Sequence, residues 1–152
     1  MISTISASEV SELSHLGRWF HYKTHPEQGE FNADVFSGAW EKMINDGNGW
    51  VMARQISGIM AEAIGCYIYP DIHTGAKTGM IGFWFVSDIG RTGLASGMLF
   101  KSVMDKLTAD RVLFVHIGVN LGDSEFQKVV GFVTKIGFGP TEMHYVKKLE
   151  QW

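Results

Sequence analysis

The sequence predicts a single α+β (α/β) domain over residues 1–152, a mixed sheet with helices packed on it. Three observations carry that expectation. Runs of strand and helix periodicity follow one another in the order β-α-α-β-β-β-α-β-α-β. Hydrophobic residues make up 45% of the chain and charged residues 19%, the balance of a protein with a buried core. A hairpin region followed by a strand, helix, strand crossover calls for both antiparallel and parallel pairing. The 152 residues suffice for one good core and are few for two ordinary domains.

Each element has a local reason. Ile2 to Ile5 alternates as a short strand, and Ser6-Ala7-Ser8-Glu9 matches a capping box, in which the Ser and Glu side chains satisfy opposite backbone donors. Val10, Leu13, Leu16, Trp19 and Phe20 then recur at helical spacing, predicting a first helix over about 7–22 that HPEQGEF breaks with Pro26 and Gly29. Val35, Phe36, Ala39, Trp40, Met43 and Ile44 form the stripe of a second helix behind an Asn32 cap, stopped by DGNG at 46–49. GWVMARQ and IMAEAIGCYIY read as strands of a hairpin around Ile56-Ser57-Gly58, and the loop PDIHTGAKT separates them from the strand GMIGFWFV. Ala95, Leu99, Val103 and Leu107 repeat every fourth residue, with Lys101, Asp105 and Lys106 on the other face, as in a helix lying on a sheet. RVLFVHIGV (111–119) is a further buried strand. Asp123 or Ser124 caps a fourth helix with Phe126, Val129, Val130 and Val133 inside and Gly137 at its end, and a last strand is expected from Met143 to Leu149.

Charge and composition exclude several classes. A formal net charge of -3 and a pI of about 6.0 leave no broad basic field, so no nucleic-acid partner is expected. Cys66 is the lone cysteine; it has no intramolecular disulfide partner and no Cys or His neighbours at metal-ligand spacing, so a small buried side chain and no metal are expected. MISTISASEVSEL lacks the basic flank and apolar stretch of a signal peptide, and no apolar run approaches the ~20 residues that span a bilayer. A cytoplasmic protein without a membrane partner is the expectation.

The chemistry concentrates at 87–100, SDIGRTGLASGMLF, where a strand passes into a helix. Glycines permit tight turns and close approach of a ligand, while the helix start supplies unpaired N–H groups and the positive end of its dipole. Arg91 adds a cation, and Thr92 and Ser96 add hydroxyl donors. Such a junction binds phosphate, or else simply caps a helix. Neither G-x-x-x-x-G-K-S/T nor G-x-G-x-x-G is present, which removes the P-loop and dinucleotide-binding readings.

Gly90-Arg91-Thr92-Gly93-Leu94-Ala95 resembles the pyrophosphate-binding motif of the GNAT N-acetyltransferases, Gln/Arg-x-x-Gly-x-Gly/Ala between the fourth strand and third helix. The element order is similar to that fold along nearly the whole chain, and FVTKIGF (132–138) resembles the end of the family's fourth helix. The resemblance implies a mainly antiparallel mixed sheet with a V-shaped splay between 79–86 and 112–119, flanked by about four helices. It implies acetyl-coenzyme A as co-substrate, with backbone donors from Thr92 to Ala95 on the pyrophosphate, assisted by Gly90, Arg91 and Ser96. Phe85 and Val86 would pair with the pantetheine arm as an added strand does. The reaction would be acetyl transfer to a primary amine, on a small molecule or a protein. The short tail after Gly137 predicts fewer terminal strands than the family pattern, for which a homodimer formed by strand or tail exchange would compensate.

This chain departs from the family pattern at several positions. Gly90 replaces Gln or Arg, Val133 falls where a helix-four Tyr often serves as acid, Phe126 falls where an Asn meets the coenzyme, and no Glu lies in 79–86. Replacement groups are His116 as base, Glu62 as a base if it faces the cleft and not solvent, and Tyr145 as acid. Asp71 and His73 read as solvated loop residues; Phe83, Trp84 and Phe85 are candidates to line an acceptor pocket, but neighbours on a strand face opposite sides, so most of them are expected in the core. The missing Tyr and Glu favour an alternative reading, a catalytically inactive GNAT-like binding or structural protein. Fragments such as WFVSD and TKIG also resemble acetyltransferase-like proteins of tailed bacteriophages, some of them virion-associated.

Overall fold

The computed structural model describes residues 1–91, 95–121 and 124–150. Two compact units divide the chain, Met1–Gly118 and Val119–Trp152. The first contains a five-stranded sheet in the order β1-β2-β3-β4-β5, formed by β1 (Ile2–Thr4), β2 (Gly49–Ile56), β3 (Ile59–Pro70), β4 (Lys77–Val86) and β5 (Phe114–Ile117). All neighbours pair antiparallel except β4 and β5, which are parallel. The mixed, mainly antiparallel sheet expected from the sequence is the one observed.

Local chemistry explains the elements. The capping box at Ser6 and Glu9 forms in both directions, but it opens a 3-10 turn, Ala7–Leu13, that passes into α1 (Ser14–Thr24). Asn32 accepts the Val35 N–H at 3.0 Å and starts α2 (Ala33–Asn45). In the β2–β3 hairpin Ser57 and Gly58 have φ of 51° and 78°, the paired left-handed geometry of a two-residue type I′ turn.

Helices cover both faces of the sheet. On one, α3 (Ala95–Ala109) buries Leu99, Phe100, Val103 and Leu107, with the Phe100 ring 5.0 Å from that of Trp84. On the other, the 3-10 turn, α1 and α2 pack Val10, Leu13, Leu16 and Trp40 onto Val51, Ala53, Met60, Ala63, Phe83 and Phe85. Full burial of one such side chain contributes about 1.5–3 kcal/mol.

One irregularity in β4 shapes the sheet. Cys66 pairs with Ile81 and Gly65 with Phe83, so Gly82 is an extra residue in β4, a bulge. The parallel ladder with β5 runs from Thr78 to Ile81 and stops at the same point. A bulge bends its strand and steepens the twist, and β4 continues past it to Val86 along β3. Pairing between β4 and β5, whose splay the sequence reading expects, ends one residue before Gly82. The bulge also makes room: a Cβ on Gly82 would lie 2.9 Å from the Trp40 ring and one on Gly65 2.7 Å from it, while Trp40 meets Phe83 edge-on at 4.9 Å.

The second unit carries α4 (Phe126–Lys135). Gly137, with φ of 106°, ends it, and the N–H of Phe138 bonds to the Val133 carbonyl at 2.9 Å. The last strand expected at Met143–Leu149 does not form, and residues 138–150 hold neither helix nor strand. Strand geometry persists only within a ladder, and among the described residues none pairs with this segment, whose Met143, Tyr145, Val146 and Leu149 are exposed. The strand expected over 111–119 likewise shortens to the four residues of β5. No helix among the described residues is long and apolar enough to cross a membrane.

Gly65→Ala should destabilise the fold by about 1–3 kcal/mol through overpacking against Trp40 and Phe83. Gly38→Ala in α2, where a Cβ meets nothing, should be neutral or stabilise by about 0.5–1 kcal/mol. Urea unfolding of both variants reads the difference.

Candidate active site

The turn leaving β4 is tied to the sheet at each step. Ser87 donates its N–H and its hydroxyl to the Ala61 carbonyl, at 2.9 and 2.8 Å, and its Oγ accepts the Gly90 N–H at 3.2 Å. Gly90 is buried so closely that an added Cβ would stand 2.5 Å from the Ala61 carbonyl oxygen, so the position requires glycine. The Gly90 carbonyl in turn accepts Arg54 Nη2 at 2.7 Å.

Behind that contact lies a buried network. Arg54 Nε donates to Glu62 Oε2 at 3.0 Å, and Trp84 Nε1 donates to Glu62 Oε1 at 2.8 Å. Both charged residues are buried, Glu62 completely. Burial pushes the Glu62 carboxyl up, against the opposing pull of the Trp84 and Arg54 hydrogen bonds and the Arg54 charge. Each carboxylate oxygen therefore has a protein donor, and Glu62 faces neither an open cleft nor solvent. Its role is to hold Arg54, and through it the end of β4.

Other sequence-derived residues fall as follows. Phe85 stacks on Phe83 at 4.3 Å, and Val86 ends β4 opposite Glu62. Arg91 is exposed, its guanidinium 5.4 Å from the Trp19 ring of α1. Thr92, Gly93 and Leu94 lie outside the described residues; Ala95 and Ser96 open α3, whose first amides point out of the helix end as at any helix start. His116 is half-buried on β5, paired with Met80 one position before the ladder ends. Tyr145, 88% exposed, belongs to the second unit. Asp71 accepts the N–H groups of His73 and Thr74, which hold its carboxyl below the usual range; His116 lowers it slightly further. Cys66 is buried, and its thiol is pushed up to about 12 by that burial.

Two features escaped the sequence reading. Arg54 could have been paired with Glu62 from the hairpin, but a regular two-residue turn would set Arg54 against Ala61; the register shift between Arg54 and Gln55 realigns it with Glu62. The second is a pocket of about 240 Å³ on the α1/α2 face, lined by Gly17, Phe20, His21, His25, Phe31, Phe36, Trp40, Gly82, Phe83 and Phe85. Its lining comes from α1, α2, the connection between them and the bulged half of β4, and no local motif links such distant positions.

This five-stranded, mainly antiparallel sheet with helices on both faces is the fold of the GNAT N-acetyltransferases, as solved structures show. The chain superposes on ribosomal-protein-alanine N-acetyltransferase from Brucella melitensis biovar Abortus 2308 with a TM-score of 0.74 at 14% identity, covering 99% of each chain. An aminoglycoside acetyltransferase, meta-AAC0020, from an uncultured soil metagenomic sample and in complex with sisomicin, matches at 0.74 and 14%, covering 99% of this chain and 96% of the other. An acetyltransferase of Trypanosoma brucei matches at 0.69 and 17%, covering 98% and 99%. No family model matches the chain, and no curated protein matches it in sequence. At these identities the likeness is one of fold.

Arg54→Met should cost about 3–5 kcal/mol, because it strands the buried Glu62 carboxylate. Combining it with Glu62→Leu should recover much of that loss, as measured by chemical denaturation. The double variant should still leave the Gly90 carbonyl without its Arg54 tether.

Proposed function

We propose that the protein is an acetyl-coenzyme A-dependent N-acetyltransferase acting on a primary amine, with both units forming one acyltransferase domain in the cytoplasm. The observation that carries the reading is the fixed turn at Ser87–Gly90, leading into α3 within a GNAT fold that aligns over 99% of the chain. The residues suit a pyrophosphate: a helix of 15 residues begins at Ala95, and Arg91 brings a cation beside the turn. Gly90 serves by position, since its N–H bonds to Ser87 and its carbonyl to Arg54. Donors from Thr92 to Ala95 would hold the pyrophosphate, and the Phe85–Val86 backbone the pantetheine arm.

Acetyl-coenzyme A supplies an activated acyl group as a thioester. The amine nitrogen bonds to the acetyl carbon and gives up a further N–H proton, the C–S bond breaks, and the sulfur takes up a proton and leaves as the thiol, the nitrogen's proton restoring the acid that supplied it. An alkylammonium with a pKa of about 10.4 must first lose a proton. In this reading His116 accepts it and Tyr145 is the acid for the sulfur. With Glu62 held by Arg54 and Trp84, the carboxylate route is closed. That closure, with Val133 and Phe126 in α4, also favours the second reading, a GNAT-like binding protein without turnover.

Calorimetry with acetyl-coenzyme A tests the first step. Gly93→Glu should abolish binding, because it sets bulk and negative charge beside the pyrophosphate and forfeits charge-assisted bonds of about 1.5–3 kcal/mol each. His116→Ala should lower kcat/KM by roughly 10²–10⁴ and leave acetyl-coenzyme A affinity close to wild type. Binding without acetylation of any amine in a broad panel would favour the second reading.

A further inference from the structure

We infer that the pocket between α1, α2 and the bulged half of β4 holds the acceptor, and that the acceptor is a primary amine carried on one small aromatic group. The inference rests on the acetyltransferase reading above and narrows its substrate.

Six aromatic rings line the pocket: Phe20, Phe31, Phe36, Trp40, Phe83 and Phe85. Their centroids stand 5.0 Å apart for Phe20–Phe85 and 5.5 Å for both Phe31–Phe36 and Phe36–Phe83, all tilted, a geometry that presents ring faces and edges to a further ring. The floor, Gly82, Phe83 and Phe85, is the stretch of β4 beyond the β5 ladder. An amine seated there is next to the strand end assigned to the pantetheine arm.

The polar groups of the lining are imidazoles. His21 Nε2 lies 2.7 Å from the Gly29 carbonyl, which only accepts, so Nε2 donates in that bond. The aromatic ring faces suit a single ammonium group. Among the described residues no Asp or Glu lines the pocket; Glu27 and Glu30 lie on the exposed turn between α1 and α2, and the Arg18 guanidinium stands 5.9 Å from the Phe31 ring. A polyamine or an aminoglycoside would bring several ammonium groups against aromatic walls with no carboxylate to pair them, at a high desolvation cost. Size points the same way, since about 240 Å³ falls below the ~300–1,000 Å³ of drug-sized sites.

The test titrates ¹⁵N-labelled protein with phenethylamine, spermidine and sisomicin, following the Trp40 indole N–H, with and without acetyl-coenzyme A. Acetylation of each amine is measured in parallel by mass spectrometry. Phenethylamine should shift the Trp40 signal and be acetylated with a kcat/KM at least 100-fold above the other two. An unmoved Trp40 signal at millimolar phenethylamine, or preferred turnover of spermidine or sisomicin, overturns the inference even where acetyl-coenzyme A binds. A Trp40 shift without acetyl-coenzyme A binding upholds the pocket and defeats the acetyltransferase reading. Phe31→Asp, checked for fold by circular dichroism, should weaken phenethylamine at least tenfold and strengthen spermidine; unchanged affinities count against the pocket. If that variant fails to fold, the wild-type titration decides.

Discussion

The ion pair between Arg54 and Glu62 joins three strands and a turn in one buried contact. Glu62 on β3 takes one donor from β2 and one from β4, and Arg54 passes its remaining reach to the Gly90 carbonyl. Two charges taken out of water gain little net stability over an apolar pair of the same volume, but losing one partner is severe. Geometry is what the pair supplies. Without it, the turn that aims α3 would keep the Ser87 and Ala61 contacts but lose its only side-chain tether from β2 among the described residues.

The bulge at Gly82 acts on the same strand from the other direction. By inserting a residue opposite the Gly65–Cys66 step, it ends the parallel ladder at Ile81 and brings Phe83 and Phe85 to the α1/α2 face, while Trp84 turns toward Phe100 and Glu62. Its alternate residues build an aromatic pocket on one face and lock the turn after β4 on the other. Trp40 fits only because Gly65 and Gly82 lack side chains, so the seating of α2 and the shape of β4 depend on each other.

Rigidity is distributed to match. The network around Glu62 and the packing of Leu99, Phe100 and Val103 are buried, whereas Arg91, at the outer end of the turn, is exposed and lies over Trp19. The cation at the end of the turn stands in water, and the groups that hold the turn behind it are dry. This division also explains why Glu62, a plausible base by residue type, is unsuited to proton exchange with a substrate.

Elements governed by near neighbours were legible in the sequence: the capping box at Ser6, the Asn32 cap, the type I′ turn at Ser57-Gly58 and the amphipathic repeat of α3 follow from contacts within a few residues. The tight approach at Gly90 was legible as a Gly-rich turn, while Thr92, Gly93 and Leu94 lie outside the described residues. The role of Glu62 was not, since alternation on a strand says which face a side chain takes and not what waits there. Of the pocket only the Phe83 and Phe85 wall was open to such a reading, since the pocket joins positions from Gly17 to Phe85 through a bulge that shifts side-chain parity by one. The segment 143–149 shows the converse, for its strand-like alternation lacks a ladder among the described residues. Local hydrogen bonding and periodicity are properties of the chain, while burial, register and the meeting of distant side chains exist only once the sheet has formed.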